Sequence, residues 1–517
     1  MEVANVTVSL SELPKPDETI STEVVIIGAG ISGLLGANQC VDRGLPFVVL
    51  ERSEELGGVW HTLANSHSYL QAYEPSYRWD PLYRLERSEF SRPSGLAVLH
   101  NLKKYAYDHS IDRFTRLRTE VLTVRQLPCG SFLSVCKHLG SERITHIRSA
   151  FLLVTPGILG SQFTAAERGV KGVEDFKGVF SYAARQDGVD CAAGTADVQG
   201  KEVVVMGTGA FALEAAEAAA RRGAKHVTLI SRPRTRWVIP FSRQFTCTLL
   251  SNPMPLLPWC IKARLTQWWL RKFWFEPVGL GHMAPTGPLQ EQDWGGQCSD
   301  ALFRLAAEGR LSVVVDRVER LKGHDVGKAD MFICAAGCRY NLQPSFLNEL
   351  GVGFHTLYSH CFMGPNPRIG TASDFVFAYV PLGPQKQLEM FFHSMDLIRQ
   401  GREEEVLKAM RPTDLGATGD ATHTGGRMAS HHTWFAYRRW WSTQSLASEE
   451  RLDSYLSIMS AGKPAGTRAI MRMVYEASRY LTTASLLLKS LTELWHYPVL
   501  GRRDSRHPRP AVVRCGK

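Results

Sequence analysis

The sequence predicts an α/β protein with two Rossmann-like units and a helical C-terminal appendage. Two observations carry that prediction: an order of apolar strand, glycine turn, helix and strand over residues 23–51, and the same order again over 202–232. Size agrees, because 517 residues are enough for roughly two to four domains.

In chain order, residues 1–20 read as a disordered leader. Residues 21–195 form the first part of unit one, opened by EVVIIGAGISGLLGANQCVDRGLPFVVLE. Unit two, 196–320, opens with KEVVVMGTGAFALEAAEAAARRGAKHVTLISR, whose alanine-rich middle is strongly helix-forming. It holds an apolar insert at 241–275 that lacks acidic residues and contains Trp259, Trp268, Trp269 and Trp274. Strand signals at LSVVV and DMFICAAG follow, and 321–416 return to unit one through FVFAYVPLG and a helix ending near residue 400. Residues 417–517 form a basic helical extension with 15 Lys plus Arg against 7 Asp plus Glu.

That extension holds most of the formal +10 charge. A basic segment of this kind suits an anionic surface. A peripheral membrane contact through 241–275 or the C-terminus is the expectation carried forward, beside a reading of 241–275 as a lid; no nucleic-acid partner is expected. The N-terminus has acids and prolines where a secretory signal needs a basic start and an apolar core, and no run reaches the roughly 18 apolar residues of a spanning helix. The 11 cysteines are scattered, and the nearest pair, Cys334 and Cys338, is spaced CxxxC. A cytoplasmic, reducing location is expected, with no metal site.

Gly28, Gly30 and Gly33 make a GxGxxG turn straight after VVII, with Ala29, Ile31 and Ser32 between them, and Glu51 ends the next strand 23 residues after Gly28. Glycine permits the tight turn and lets backbone amides approach a pyrophosphate; the acid can bind ribose hydroxyls. A carboxylate there would repel a 2′-phosphate, so this site suits FAD or NAD. Gly58, Val59 and Trp60 follow in a GGVW segment. In the second motif Gly207, Gly209 and Ala212 make GxGxxA, and the following strand ends in Ser231 and Arg232, 25 residues after Gly207. A guanidinium at that place can grip a 2′-phosphate, which favours NADPH.

In the order of these motifs the chain resembles the flavin-containing monooxygenase class over about residues 20–400. The resemblance implies FAD on the first motif with GGVW along the flavin, NADPH on the second, and the hydrophobic insert walling a substrate tunnel. It also implies a monooxygenase using O2, through a flavin C4a-hydroperoxide, on a small soft nucleophile (N or S) or a carbonyl compound. Departures from the family pattern bear on oxygen activation. In the linker Phe176, Lys177 and Gly178 match, whereas Tyr182 stands in the histidine place and Gln186 in the aromatic place; Gln71 stands near an asparagine beside the flavin. Gln71 and Tyr182 are therefore the candidate catalytic positions. The alternatives are an NADPH-dependent flavin oxidase or reductase without oxygen transfer, and a non-catalytic protein on a degenerate flavoprotein fold. Substrate and oligomeric state are left open.

Overall fold

The computed structural model describes residues 13–71, 74, 79–80, 82–85, 91–157, 159–232, 238–243, 259–284, 297–321, 325–341, 343–354, 356–372, 384–413, 452–464 and 466–474, with isolated positions between 477 and 492. Unit one opens with β1 (Glu18–Ile27), α1 (Ile31–Asp42) and β2 (Phe47–Leu50). It continues through α2 (Val59–Thr62), α3 (Gly95–Asp108), β3 (Thr115–Arg116), β4 (Thr119–Gln126), β5 (Phe132–His138) and β6 (Ile144–Val154).

Unit two contains β7 (Leu159–Gln162), β8 (Val179–Tyr182), α4 (Ala192–Thr195), β9 (Glu202–Met206), α5 (Ala210–Arg221) and β10 (His226–Ser231). After β11 (Val238–Ile239) come α6 (Trp259–Leu270), β12 (Gln297–Cys298), α7 (Asp300–Ala307), β13 (Leu311–Val315), β14 (Met331–Cys334) and β15 (Cys338–Tyr340). The chain then returns to unit one through β16 (Leu357–Tyr358), β17 (Phe362–Met363), β18 (Ile369–Thr371), α8 (Pro384–Arg399) and α9 (Glu403–Ala409).

In the first sheet β1 lies between β2 and β6, parallel to both. Its strands are apolar on both faces because both are covered. Val24, Ile26, Val49 and Leu153 pack under the helices, while Val25, Ile27, Val48 and Leu152 pack beneath the β4–β5 hairpin. The second sheet has the order β13-β10-β9-β14-β8 and is parallel throughout. Val203 and Val205 face α5, and Val204 faces the opposite core with Phe332. Gly44 at φ +61° and Gly223 at φ +89° follow the ends of α1 and α5, where a left-handed residue stops the helix.

Four boundaries differ from the sequence reading. The leader is shorter: β1 begins at Glu18, and Asp17 exchanges hydrogen bonds with Ile144, donating its N–H at 2.8 Å and accepting at Oδ2 at 2.7 Å. The edge near 195 moves back, because β8 pairs with β14 in the second sheet. For the same reason β14 belongs to unit two, so the return to unit one comes after residue 340 rather than at 321. The extension is not wholly an appendage either: residues 452–460 are helical, Ile458 joins the first core, and the Tyr455 hydroxyl donates to Glu389 at 2.8 Å. Residues 244–258 of the insert, the FVFAYVPLG stretch and 417–451 lie outside the described residues.

Candidate functional site

The first glycine motif divides into glycines the fold requires and one it does not. Gly28 sits at φ +104°, and a Cβ there would lie 2.3 Å from the Thr155 carbonyl oxygen; one on Gly33 would lie 1.9 Å from the Gly28 carbonyl oxygen. Both are forced by the crossing of helix and strands. Gly30 has an ordinary φ of −78°, and a Cβ there would meet only Gly58, at 3.6 Å. Its missing side chain instead leaves room before the first N–H groups of α1, which carry no side-chain cap. Backbone amides at a helix start with an open approach fit a pyrophosphate.

Glu51 ends β2 as expected and is only 8% exposed. Its Oε2 accepts from the Ala29 N–H at 2.7 Å and its Oε1 from the Ser53 N–H at 2.8 Å. The carboxylate thus braces the turn itself and reaches a ribose only through its remaining lone pairs. Gly58, at φ +55°, lies against Gly30, and Val59 and Trp60 begin α2. The Trp60 ring closes on the start of α3, where a Cβ on Gly95 would approach it to 3.2 Å.

The second motif repeats the division. Gly207 at φ +115° is required, since a Cβ would lie 3.0 Å from the Ala335 carbonyl oxygen, and Ala212 is fully buried beneath it. Gly209 has φ −74° and nothing within 4 Å of a Cβ, so again space is kept open at a helix start, that of α5. Ser231 is buried, its Oγ donating to the Arg232 carbonyl at 3.3 Å, while Arg232 is exposed. Asp316 is a neighbour that sequence reasoning missed: its N–H donates to the Ser231 carbonyl at 2.8 Å, and its Oδ1 accepts from the Arg317 N–H at 2.7 Å. Arg317, Arg320 and Lys171 share the same wall.

Both turns open on one cleft of ≈ 1980 Å³ between the units. Gln71 lines it, but both ends of its amide are engaged: Nε2 donates to Glu214 Oε1 at 2.9 Å, and Oε1 accepts from the Cys298 N–H at 2.9 Å. Gln71 therefore bridges the two units. Tyr182 does not line the cleft. Its ring packs in the core on one face of the second sheet, edge-on to Phe180 at 5.2 Å, and its hydroxyl accepts from the Ala165 N–H at 3.2 Å. The side chain in β8 points into that core, so the geometry gives it no direct part in chemistry.

Glu214 and Arg92 were also missed, although two acids three residues apart in the alanine run of α5 were a signal. Glu214 is 4% exposed, and burial raises its carboxyl to about 7 against the opposing pull of Arg92. Arg92 pairs with Glu217 at 3.2 Å, donates to the Leu70 carbonyl at 3.1 Å and lies over the Tyr69 ring at 5.1 Å. Among the described residues no group of three His, Cys, Asp or Glu could hold a metal ion.

A family model described as flavin-binding monooxygenase-like matches residues 21–72. Flavin-containing monooxygenase 2 of Homo sapiens is 26% identical over 273 residues, covering 48% of this chain and 49% of that protein. The FAD-containing monooxygenase EthA of Mycobacterium tuberculosis is 26% identical over 363 residues, 62% of this chain and 70% of its own. The chain thus spans about half the length of the mammalian relatives it matches. Among solved structures, cyclohexanone-bound cyclohexanone monooxygenase superposes with a TM-score of 0.59 at 13% identity, covering 89% of this chain and 98% of that one. OTEMO in complex with FAD and NADP gives 0.54 at 16% identity, covering 76% and 89%.

Proposed function

We propose that this chain, a divergent member of the flavin-containing monooxygenase family, is an NADPH-consuming monooxygenase that holds FAD on the first glycine turn and NADPH on the second. The observation that carries the reading is the pair Gly30 and Gly209. The fold requires neither to be glycine, yet both keep a helix start open, and both turns face one cleft. A small amine, thioether or carbonyl compound would be oxygenated with dioxygen.

FAD, when bound, would supply hydride acceptance from NADPH and the dioxygen chemistry for transfer of one oxygen atom. The chain's own residues place and enclose the reactants. The N-termini of α1 and α5 hold the two pyrophosphates, Glu51 keeps the first turn in shape, and Arg232 with Arg317 and Arg320 supplies positive charge for a 2′-phosphate. Trp60 and residues 68–71 line the shared cleft. Anaerobic mixing with NADPH and with NADH tests the cofactor assignment. NADPH should bleach the flavin absorbance at least about tenfold faster at equal concentration; equal rates would remove the role given to Arg232.

We also infer a peripheral contact with an anionic bilayer through α6. Its inner side packs on the core of unit two through Leu270, and just beyond α6 Trp274 and Phe275 are buried against Phe303. Its outer side presents Leu265 at 45% and Trp268 at 54% exposure beside the exposed Arg264. Indole and guanidinium together suit a headgroup boundary. No helix among the described residues is long and apolar enough to cross a membrane.

A further inference from the structure

One contact between the two units is a buried acid from unit two gripping residues 69–71 of unit one, which line the cleft. Glu214 belongs to α5, the helix whose start is the second glycine turn. Its Oε1 accepts from the Tyr69 N–H at 3.3 Å and from Gln71 Nε2 at 2.9 Å. Gln71 in turn accepts from the Cys298 N–H, so residues 69–71 are tied at two places to unit two. The Arg221 guanidinium adds a third tie, donating to the Tyr69 hydroxyl at 3.0 Å.

We propose that Glu214 is a positioning residue that, through Gln71 and the Tyr69 amide, sets the spacing of the two nucleotide sites. The inference rests on the reading of those sites as FAD and NADPH sites. Hydride transfer needs reacting atoms held within a few tenths of an ångström, and a misplacement of about 1 Å is worth on the order of a hundredfold in rate. A tie between α5 and segment 68–71 acts on that distance while touching neither reacting atom.

The carboxyl also makes the tie respond to pH. Glu214 Oε2 is buried and makes no hydrogen bond of good geometry among the described residues, although the Ser68 hydroxyl acts with the Tyr69 and Gln71 donors to favour the charged form. A neutral carboxyl bears that burial, whereas a carboxylate there is a buried ion whose donors Ser68, Tyr69 and Gln71 and whose neighbour Arg92 offset the desolvation only in part. The charges around it are Arg92 from unit one, Glu217 and Arg221 on its own helix, and, further off, Asp300, which feels both Arg92 and Arg243. Arg92 is already paired with Glu217, so it compensates Glu214 only in part. Burial raises the carboxyl to about 7, so the tie holds below neutrality and slackens above it.

The test uses the full-length protein and Glu214→Gln, which preserves the acceptor oxygen and the volume but cannot ionise. Hydrogen exchange at the Tyr69 amide, corrected for intrinsic exchange, is read at about pH 6 and about pH 8.5 without added NADPH. Protection in the wild type should fall at least about fivefold across that interval and stay constant in the variant. In the FAD-loaded protein the limiting rate of flavin reduction should follow the same profile in the wild type alone, with the KM for NADPH within about twofold. Gln71→Asn, too short to reach both partners, should weaken protection at both pH values if Glu214→Gln does not fold. The same pH dependence in wild type and Glu214→Gln, or unchanged protection in Gln71→Asn, overturns the proposal. A protein that holds no FAD fails the functional reading instead, and the exchange measurement still decides the tie.

Discussion

Gly30 and Gly58 meet so closely that a Cβ on Gly58 would lie 3.0 Å from the Gly30 Cα, although the two belong to turns 28 residues apart. The GGVW turn is thereby laid beside the start of α1, where the pyrophosphate of FAD is proposed to bind, and a side chain at residue 30 would take up space between the two turns.

Gly30→Ala should therefore fold normally and lose FAD. The ratio of flavin to protein absorbance should fall at least about tenfold, as expected when steric contact replaces one or two good hydrogen bonds. Gly28→Ala should behave oppositely, with a loss of about 2–3 kcal/mol in stability by denaturant titration, because its φ of +104° and the 2.3 Å approach to Thr155 both resist a side chain. A yellow, fully occupied Gly30→Ala protein would remove the first site.

At the second site, Arg232→Ala should cost about 1.5–3 kcal/mol of NADPH binding, a roughly ten- to hundredfold rise in KM, and leave NADH use within about threefold. Steady-state kinetics with both dinucleotides checks it. An equal loss with both would mean that Arg232 supports the strand and reads no phosphate.

Glu214 should make the protein less stable as pH rises. Its carboxyl goes from 4.5 to about 7 on folding, so the folded state holds the proton more tightly than the unfolded chain. The contribution is fully present below 4.5, is lost as pH climbs through about 7, and amounts to roughly 3 kcal/mol at most. Denaturant midpoints from about pH 5 to pH 8 should fall less in Glu214→Gln than in the wild type.

If α6 docks on a bilayer, the intact protein should sediment with anionic vesicles at ~0.05 M salt and be released at ~1 M, where the screening length shrinks to about 3 Å. Trp268→Ser should reduce binding and leave flavin occupancy unchanged. Loss of all binding on deleting residues 417–517 would assign the contact to the basic extension, and absence of binding at any salt would rule out docking through α6.

Much of this arrangement was legible because the chemistry is local. A strand, three glycines and a helix within a dozen residues report their own backbone requirements, so Gly28, Gly33 and Gly207 fell where sequence placed them. Sheet membership was less legible. The four-residue β8 is an edge strand with no fully buried residue to mark its face, and only its pairing with β14 assigns it to the second sheet. Tyr182 went astray for the same reason, since position in a linker motif does not say which face of a strand a ring takes. The contact of Glu214 with Gln71 was hidden differently: the two meet across 143 residues, and no period or spacing in the sequence records it.

The most direct test of the account is the fate of isotopically labelled dioxygen during NADPH turnover with a tertiary amine, a thioether and a cyclic ketone as probes. The account predicts that at least one probe accelerates NADPH consumption and leaves with a single labelled oxygen atom. Recovery of all the label as hydrogen peroxide, at a rate no probe alters, would contradict it and identify the chain as an NADPH oxidase.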